Sequence, residues 1–297
     1  MPKTAMDIRD LCVFESVARL GAMNRAAAEL HTVQSNVTAR IRGLERELGC
    51  SLFDRHPNGV TLTPAGHRLF PFARRAGRLL ADAARAARDD GTPRGSLTIG
   101  ALETTTALRL SGVLSAYAAA WPEVDLVLRA AITADLIAAT LAERVEGAFV
   151  CGPVIHPELT QEAMFTEELA ILAAPNLPAL PDLSANVRIV VLHAGCSYRQ
   201  RLESLLARRG VPIPRLMEFG TLEAIFSCVA AGLGITLLPR ALIGPVLAPG
   251  RLSVHPLPPS ESLVETVFIR RGDRFASSAL EAFLTTARPA LRTARAA

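Results

Sequence analysis

Between residues 32 and 40 of this 297-residue chain, hydrogen-bonding side chains crowd together: Thr32, Gln34, Ser35, Asn36, Thr38 and Arg40. Val37 and Ile41 interrupt them at helical spacing, so on a helix the apolar pair faces inward and the polar groups face out. That arrangement suits the edges of DNA bases, which present fixed patterns of donors and acceptors in the major groove. Gln and Asn match adenine with two hydrogen bonds, and Arg matches guanine or holds a phosphate. A solvated helix face has the same composition, so the residues alone leave both readings open. Further along, Arg55, Asn58 and Thr61 are candidates for contacts to phosphate or the minor groove. Arg55 is equally placed to pair with Asp54 or a helix end.

A second group of candidates sits where apolar runs give way to helical patterns. Glu103, Thr104, Thr105 and Thr106 follow the run SLTIGAL, and Cys196, Ser197, Tyr198 and Arg199 open a helix after VRIVVLHA. Gly152 lies between Cys151 and Pro153 at the end of EGAFV, and Phe219 and Thr221 precede LEAIF. Free backbone N–H groups and hydroxyls at such junctions hold anions, and open α/β sheets bind ligands there. A plain helix cap uses the same residues. Glu103 would repel an anion unless its carboxylate turns away.

His193 and Cys196 also raise catalysis, because a thiol at a helix N-terminus can be activated. No third residue to orient the pair is evident, and packing is the simpler role for a Cys beside Gly. A redox-sensing thiol is the other alternative, although the next cysteine in the sequence is Cys228. The five cysteines form no CxxC pair and the six histidines no HxxxH or HExxH spacing, so neither a metal nor another cofactor is expected.

The elements behind these groups are legible from composition and period. A chain of this length is expected to form two domains. No apolar run reaches the roughly 20 residues a membrane helix needs, the N-terminus lacks a signal-like core, and scattered cysteines suit a cytoplasmic protein. Residues 1–95 carry 15 basic against 10 acidic side chains, so the net positive charge of the chain sits in its first third. That is what a surface approaching phosphates needs.

Leu11, Phe14, Val17 and Ala18 give a first helix stopped by Gly21. Asn24 caps a second with Ala27, Ala28 and Leu30 inward, and Val37, Ile41, Leu44 and Leu48 give a third closed by Gly49. Asn58-Gly59 between apolar pairs predicts a hairpin turn. Thr63 and Pro64 then start a helix to about Arg88, with an apolar stripe through Leu69, Phe72, Ala76, Leu79, Leu80, Ala83 and Ala87 that suits pairing with a second copy. After the polar boundary Asp89–Ser96, strands and helices alternate, predicting an α/β domain with a largely parallel sheet.

Over residues 6–66 the order of these features, with LGCSLFDR and TLTPAG after the three helices, resembles the LysR-type transcriptional regulators; the match continues more loosely through GALETTT and VAAGLGITLLPRAL. Val33 stands where that family often has a small hydroxyl residue, and Thr32 is the alternative cap. The resemblance implies an all-α winged helix-turn-helix domain over 6–63, its motif at about 23–42, and a linker and dimerisation helix over 64–90. It further implies a C-terminal α/β effector domain over 95–297 like type 2 periplasmic binding proteins. Of its two Rossmann-like lobes, one spans about 95–165 with 266–297 and the other about 166–265, and the loop at Cys196 to Arg199 faces the crevice between them. Expected partners are double-stranded DNA with a partly palindromic site, a second copy in a dimer or tetramer, RNA polymerase, and a small carboxylate or aromatic metabolite as effector.

Overall fold

A computed structural model describes residues 6–175, 188–211, 215–244 and 246–293. The N-terminal signal reading, and the outer ends of the runs LAILAAPN and VRIVVLHA, fall partly outside these. Internal contacts divide the chain into two units, Met1–Asp90 and Gly91–Ala297.

In the first unit, α1 (Ile8–Leu20), α2 (Met23–Glu29) and α3 (Gln34–Leu48) enclose a core of Phe14, Val17, Ala26, Ala27, Val37, Ile41 and Leu44. Asp7 caps α1 by accepting from the Arg9 amide, and Gly21 and Gly49 end α1 and α3 in the left-handed region. The cap of α2 is Ala22, not Asn24, whose side chain instead accepts the amide of Arg25. The helix starts earlier because the Gly21 turn already sets the chain on course. Its inward residues become Met23, Ala26 and Ala27, and Ala28 is exposed.

Strands β1 (Phe53–His56) and β2 (Gly59–Leu62) pair antiparallel as a wing, with His56 opposite Gly59. The turn is therefore Pro57-Asn58, one residue earlier than the Asn-Gly signal predicts. Pro57 has the fixed φ a turn wants, and Gly59 is needed for another reason. Its φ is +135°, and a Cβ there would collide with the carbonyl oxygen of Gly21, where the adjacent Val60 amide donates at 3.0 Å. The wing is thus tied to the end of α1. Helix α4 (Pro64–Arg88) follows, capped by the Thr63 hydroxyl accepting from Gly66 N at 3.1 Å. Ala73 and Asp82 are buried along it, while Phe72, Leu79 and Leu80 stand exposed.

The second unit starts with β3 (Gly95–Ala101) and α5 (Glu103–Thr105), passes through a single π-helical stretch (Thr106–Leu110), and continues in α6 (Ser111–Ala120). Then come β4 (Val124–Ala130), α7 (Thr133–Leu141), β5 (Gly147–Cys151) and the long β6 (Leu159–Ala173). Further on are β7 (Arg188–Leu192), α8 (Ser197–Arg208), β8 (Arg215–Phe219), α9 (Leu222–Ala230), β9 (Thr236–Pro239), β10 (Ser253–Pro256), α10 (Pro259–Ser262), β11 (Leu263–Arg271) and α11 (Ser278–Thr293).

The main sheet has the order β10-β6-β11-β5-β3-β4, with β9 also on β6. Its β4, β3 and β5 are parallel, but β11 runs antiparallel to both β5 and β6, and β9 and β10 are antiparallel to β6. The largely parallel sheet expected from the alternation is therefore a mixed one. The last strand does not return through a crossover, so nothing forces it to run parallel. Strands β6 and β11 belong to both lobes. The outer stretch of β11 lies beside β5, and the far half of β6 carries β9 and β10. The pair β7 and β8 is parallel, and a bridge from Ile189 to Ile235 sets it beside the run into β9.

Candidate functional sites

In the first unit α3 presents Gln34, Ser35 and Asn36 to solvent over the buried Val37 and Ile41, with Thr38 half-buried beside them. Val33 is the N-cap and makes no side-chain cap bond, so the first amides of the helix stay open. Thr32 does not cap. The left-handed turn at His31 swings its hydroxyl to the Asn36 side chain, which donates to it at 3.1 Å.

Arg40 also has a partner within the head. Its guanidinium donates to Asp10 of α1 at 2.7 Å, fastening α3 to α1. Arg55 sits 3.6 Å from Glu45 of α3, a partner other than Asp54. Asn58 at the wing tip and Thr61 on β2 are exposed. Arg42 of α3 is exposed as well.

In the second unit a cavity of about 250 Å³ opens where α5, α7 and α8 begin. Glu103, Thr104, Cys196, Ser197 and Tyr198 line it, together with Thr133, Asp135, Cys151 and His193. Thr105 is fully buried behind this wall, and the Thr106 hydroxyl donates to Leu102 O at 3.0 Å. Phe219 and Thr221 lie outside the lining, and Thr221 caps α9 by accepting from Ala224 N at 3.3 Å. Gly152 lines a second, neighbouring cavity. Thr133 was overlooked although it opens a helix after a strand, the same signal that picked out Ser197.

Behind the cavity the lobes are joined by polar contacts that no local pattern announces. The Thr104 hydroxyl and the Tyr198 phenol lie 3.2 Å apart, and Tyr198 also donates to Glu167 of β6 at 3.5 Å. The Nε of Arg109, from the π-helical stretch, is 3.7 Å from the other oxygen of Glu167. Such stretches are frequent at functional sites. Burial pushes Glu167 up from the usual carboxylate range, with Arg109 and Tyr198 opposing, and burial keeps the Tyr198 phenol protonated well beyond neutral pH. Tyr198 is therefore spent on joining the lobes. Tyr198→Phe is expected to destabilise this unit by about 1–3 kcal/mol, because Glu167 loses a donor in a dry place. Urea unfolding followed by Trp121, the only tryptophan, reads the loss; an unchanged midpoint would show the contact to be idle.

Glu103 lines the cavity and also meets the start of α9. Burial pushes its carboxyl up, the amide of Leu222 at the start of α9 opposes this, and Glu223 adds to it. Cys151 and Cys196 line the same cavity, close enough that Cys151 adds to what burial already raises in Cys196. Cys196 therefore has a neighbouring thiol in space, which sequence distance concealed. Both thiols are held protonated by burial, the opposite of what a nucleophile needs. Among the described residues no cluster of three His, Cys, Asp or Glu could hold a metal ion, and no helix is long and apolar enough to cross a membrane.

Comparison with known proteins agrees with both halves. Residues 8–67 match the model of bacterial regulatory helix-turn-helix proteins of the lysR family, and residues 90–292 match that of the LysR substrate binding domain. The HTH-type transcriptional regulator GltR of Bacillus subtilis is 40% identical over 282 residues, covering 94% of this chain and 95% of its own. CzcR of Bacillus cereus is 38% identical over 281 residues, covering 95% and 96%. Among solved structures, a full-length OxyR variant from Pseudomonas aeruginosa superposes with a TM-score of 0.65 at 20% identity, over 97% of this chain and 95% of the other. CbnR complexed with its target DNA gives 0.53 at 22% identity, over 96% and 100%. With matches of this extent at both ends, the chain belongs to the LysR family of transcriptional regulators, a helix-turn-helix head joined to an effector-binding domain.

Proposed function

We propose that this regulator binds a partly palindromic stretch of double-stranded DNA as a homodimer or a tetramer of two dimers, and that a small carboxylate or aromatic metabolite in the crevice sets its activity. The exposed first turns of α3, with Gln34, Ser35 and Asn36 over a buried Val37 and Ile41, carry the reading. Side chains at that end of a recognition helix meet base edges, and open amides at the same end suit a phosphate. The exposed Phe72, Leu79 and Leu80 of α4 form the surface for a second copy. Effector binding biases the arrangement of the lobes and, through the dimer, the spacing of the heads, and so DNA bending or contact with RNA polymerase. The protein works in the cytoplasm and without catalysis. Its buried thiols lack activation, and among the described residues no hydrogen bond orients the His193 ring toward Cys196.

Fluorescence anisotropy on a duplex selected from a random pool tests the head. Gln34→Ala and Asn36→Ala are expected to cost about 1–3 kcal/mol each on the selected duplex and little on random DNA. Equal losses on both would reduce them to phosphate contacts. Arg40→Ala is expected to weaken both alike, because it loosens α3 from Asp10.

A further inference from the structure

The turn between α2 and α3 is built tightly enough to place a side chain. The amides of Leu30 and Thr32 donate to Ala26 O and Ala27 O of α2, each at 2.9 Å. His31 between them is left-handed, with φ at +50°, an uncommon conformation for a residue other than glycine. Beyond the turn, α3 is seated by the fully buried Val37 and Ile41. Thr32 is thus fixed from the α2 side and half-buried, while Asn36 is carried on α3 and exposed.

Across this corner the Asn36 Nδ2 donates to the Thr32 hydroxyl at 3.1 Å. Among the described residues neither Gln34 nor Ser35 has a side-chain hydrogen bond, so of the three exposed groups only Asn36 is preset. Val33, at the cap itself, brings no polar group to compete for the Asn36 side chain.

The bond fixes more than a rotamer. A side-chain amide carries two N–H donors on one atom and an acceptor on the other. With one N–H committed to Thr32, the nitrogen is tied to the turn, and Asn36 has left one N–H beside an unpartnered oxygen. Adenine presents an acceptor at N7 and a donor at N6 in the major groove, which that pair matches. Guanine presents two acceptors, N7 and O6, and the oxygen of a tied amide would face one of them. A free amide escapes this by turning over, at the expense of its match to adenine.

We infer that Thr32 is a positioning residue for sequence reading: it touches no base, and by tying the Asn36 amide it makes one position of the DNA site adenine rather than guanine. The inference rests on the first turns of α3 being the surface that reads DNA.

Fluorescence anisotropy of the full chain tests this on the duplex selected from a random pool, on copies with each A·T pair replaced singly by G·C, and on random DNA. The proteins are the wild type, Gln34→Ala, Asn36→Ala, Thr32→Val, Thr32→Ser and the double variant Thr32→Val with Asn36→Ala. Asn36→Ala is expected to abolish the preference for adenine at one position, which identifies the base pair it reads. At that position Thr32→Val should narrow the preference for adenine over guanine about three- to tenfold, the worth of one hydrogen bond. Its affinity for random DNA should stay at the wild-type level. Thr32→Ser, which keeps the hydroxyl, should read as the wild type, and the double variant should read as Asn36→Ala.

A wild-type preference in Thr32→Val would overturn the inference, and a lowered Tm with the preference intact would leave the bond as a brace of the turn. Equal losses on selected and random DNA would make Thr32 a phosphate contact, and a double variant worse than Asn36→Ala would make the two residues independent. If Gln34→Ala changes a base preference and Asn36→Ala does not, the reading surface stands and the role of Thr32 falls. If neither changes one, the reading surface falls as well.

Discussion

Replacing Phe149 by alanine is expected to cost the effector unit about 3–5 kcal/mol, the range for an aromatic ring deleted from a sealed core. The ring is fully buried on β5, edge-on to Phe268 of β11 at 5.0 Å and to Phe283 of α11 at 6.3 Å. Phe283 in turn meets Tyr117 of α6 at 5.3 Å, and Tyr117 is pinned by its hydroxyl donating to Ala279 O at 2.8 Å. Neighbours fixed in this way on two helices and a strand cannot close over the hole, so the cavity cost adds to the lost transfer energy. Trp121 packs against the same cluster and reports its unfolding in urea. Phe149→Leu should lose clearly less. A loss below about 1 kcal/mol for the alanine variant would mean that the cluster repacks.

The second large effect belongs to Gly66, the glycine of TLTPAG. Alanine in place of glycine inside a helix ordinarily gains about 1 kcal/mol, yet Gly66→Ala is expected to lose about 1–3 kcal/mol, toward the upper end. A Cβ there would overlap the carbonyl oxygen of Leu52 and lie 2.8 Å from Leu62 Cδ2. That carbonyl cannot retreat, because it accepts the Thr63 amide at 3.0 Å, and the Thr63 hydroxyl donates to Ser51 O at 2.8 Å. The new methyl must therefore break the junction of wing and α4 or displace the helix start. Gly77→Ala, lower on the same helix, is the control, since its Cβ would meet only Cys12 Sγ at 3.9 Å. Hydrogen exchange of the α1 and α3 amides reads both variants. If Gly66→Ala protects them as well as Gly77→Ala does, the close approach carries no energy.

Gly66 also shows what the sequence could and could not disclose. Features made by neighbours along the chain were legible: the three head helices, the glycine stops at Gly21 and Gly49, the Thr63 cap and most strand and helix cores of the second unit. Where a distant element decides, the local signal misled. Asn58-Gly59 promised the turn, but Gly59 is spent on the approach to Gly21 and the turn falls on Pro57-Asn58. The first half of β6 was not read as a strand, because Thr160, Gln161 and Ala163 are exposed and the stretch lacks an apolar face. Exposure likewise hid β8, of which Arg215, Leu216 and Glu218 are exposed. In the crevice, helix-start signals found Thr104, Cys196, Ser197 and Tyr198. Glu167 and Arg109 lie inside regular elements, and only the folded topology brings them together.

Strands β6 and β11 pass side by side between the two lobes, with Thr166 opposite Glu265. Everything the chain builds between those two residues leaves and returns across that rung, its ends about 5 Å apart. A segment attached in this way behaves as a cassette. Ile132, Leu136 and Ala148 of the first lobe belong to the same core cluster as Val190 and Ile225 of the segment, so another segment with the same narrow stem could be spliced in at this rung if it covered the same apolar face. Half the crevice wall, including α8 and its arginines, would change with the graft while Glu103, Thr104 and Thr133 stayed behind. A new ligand preference is therefore within reach of one exchange that preserves the shared apolar face.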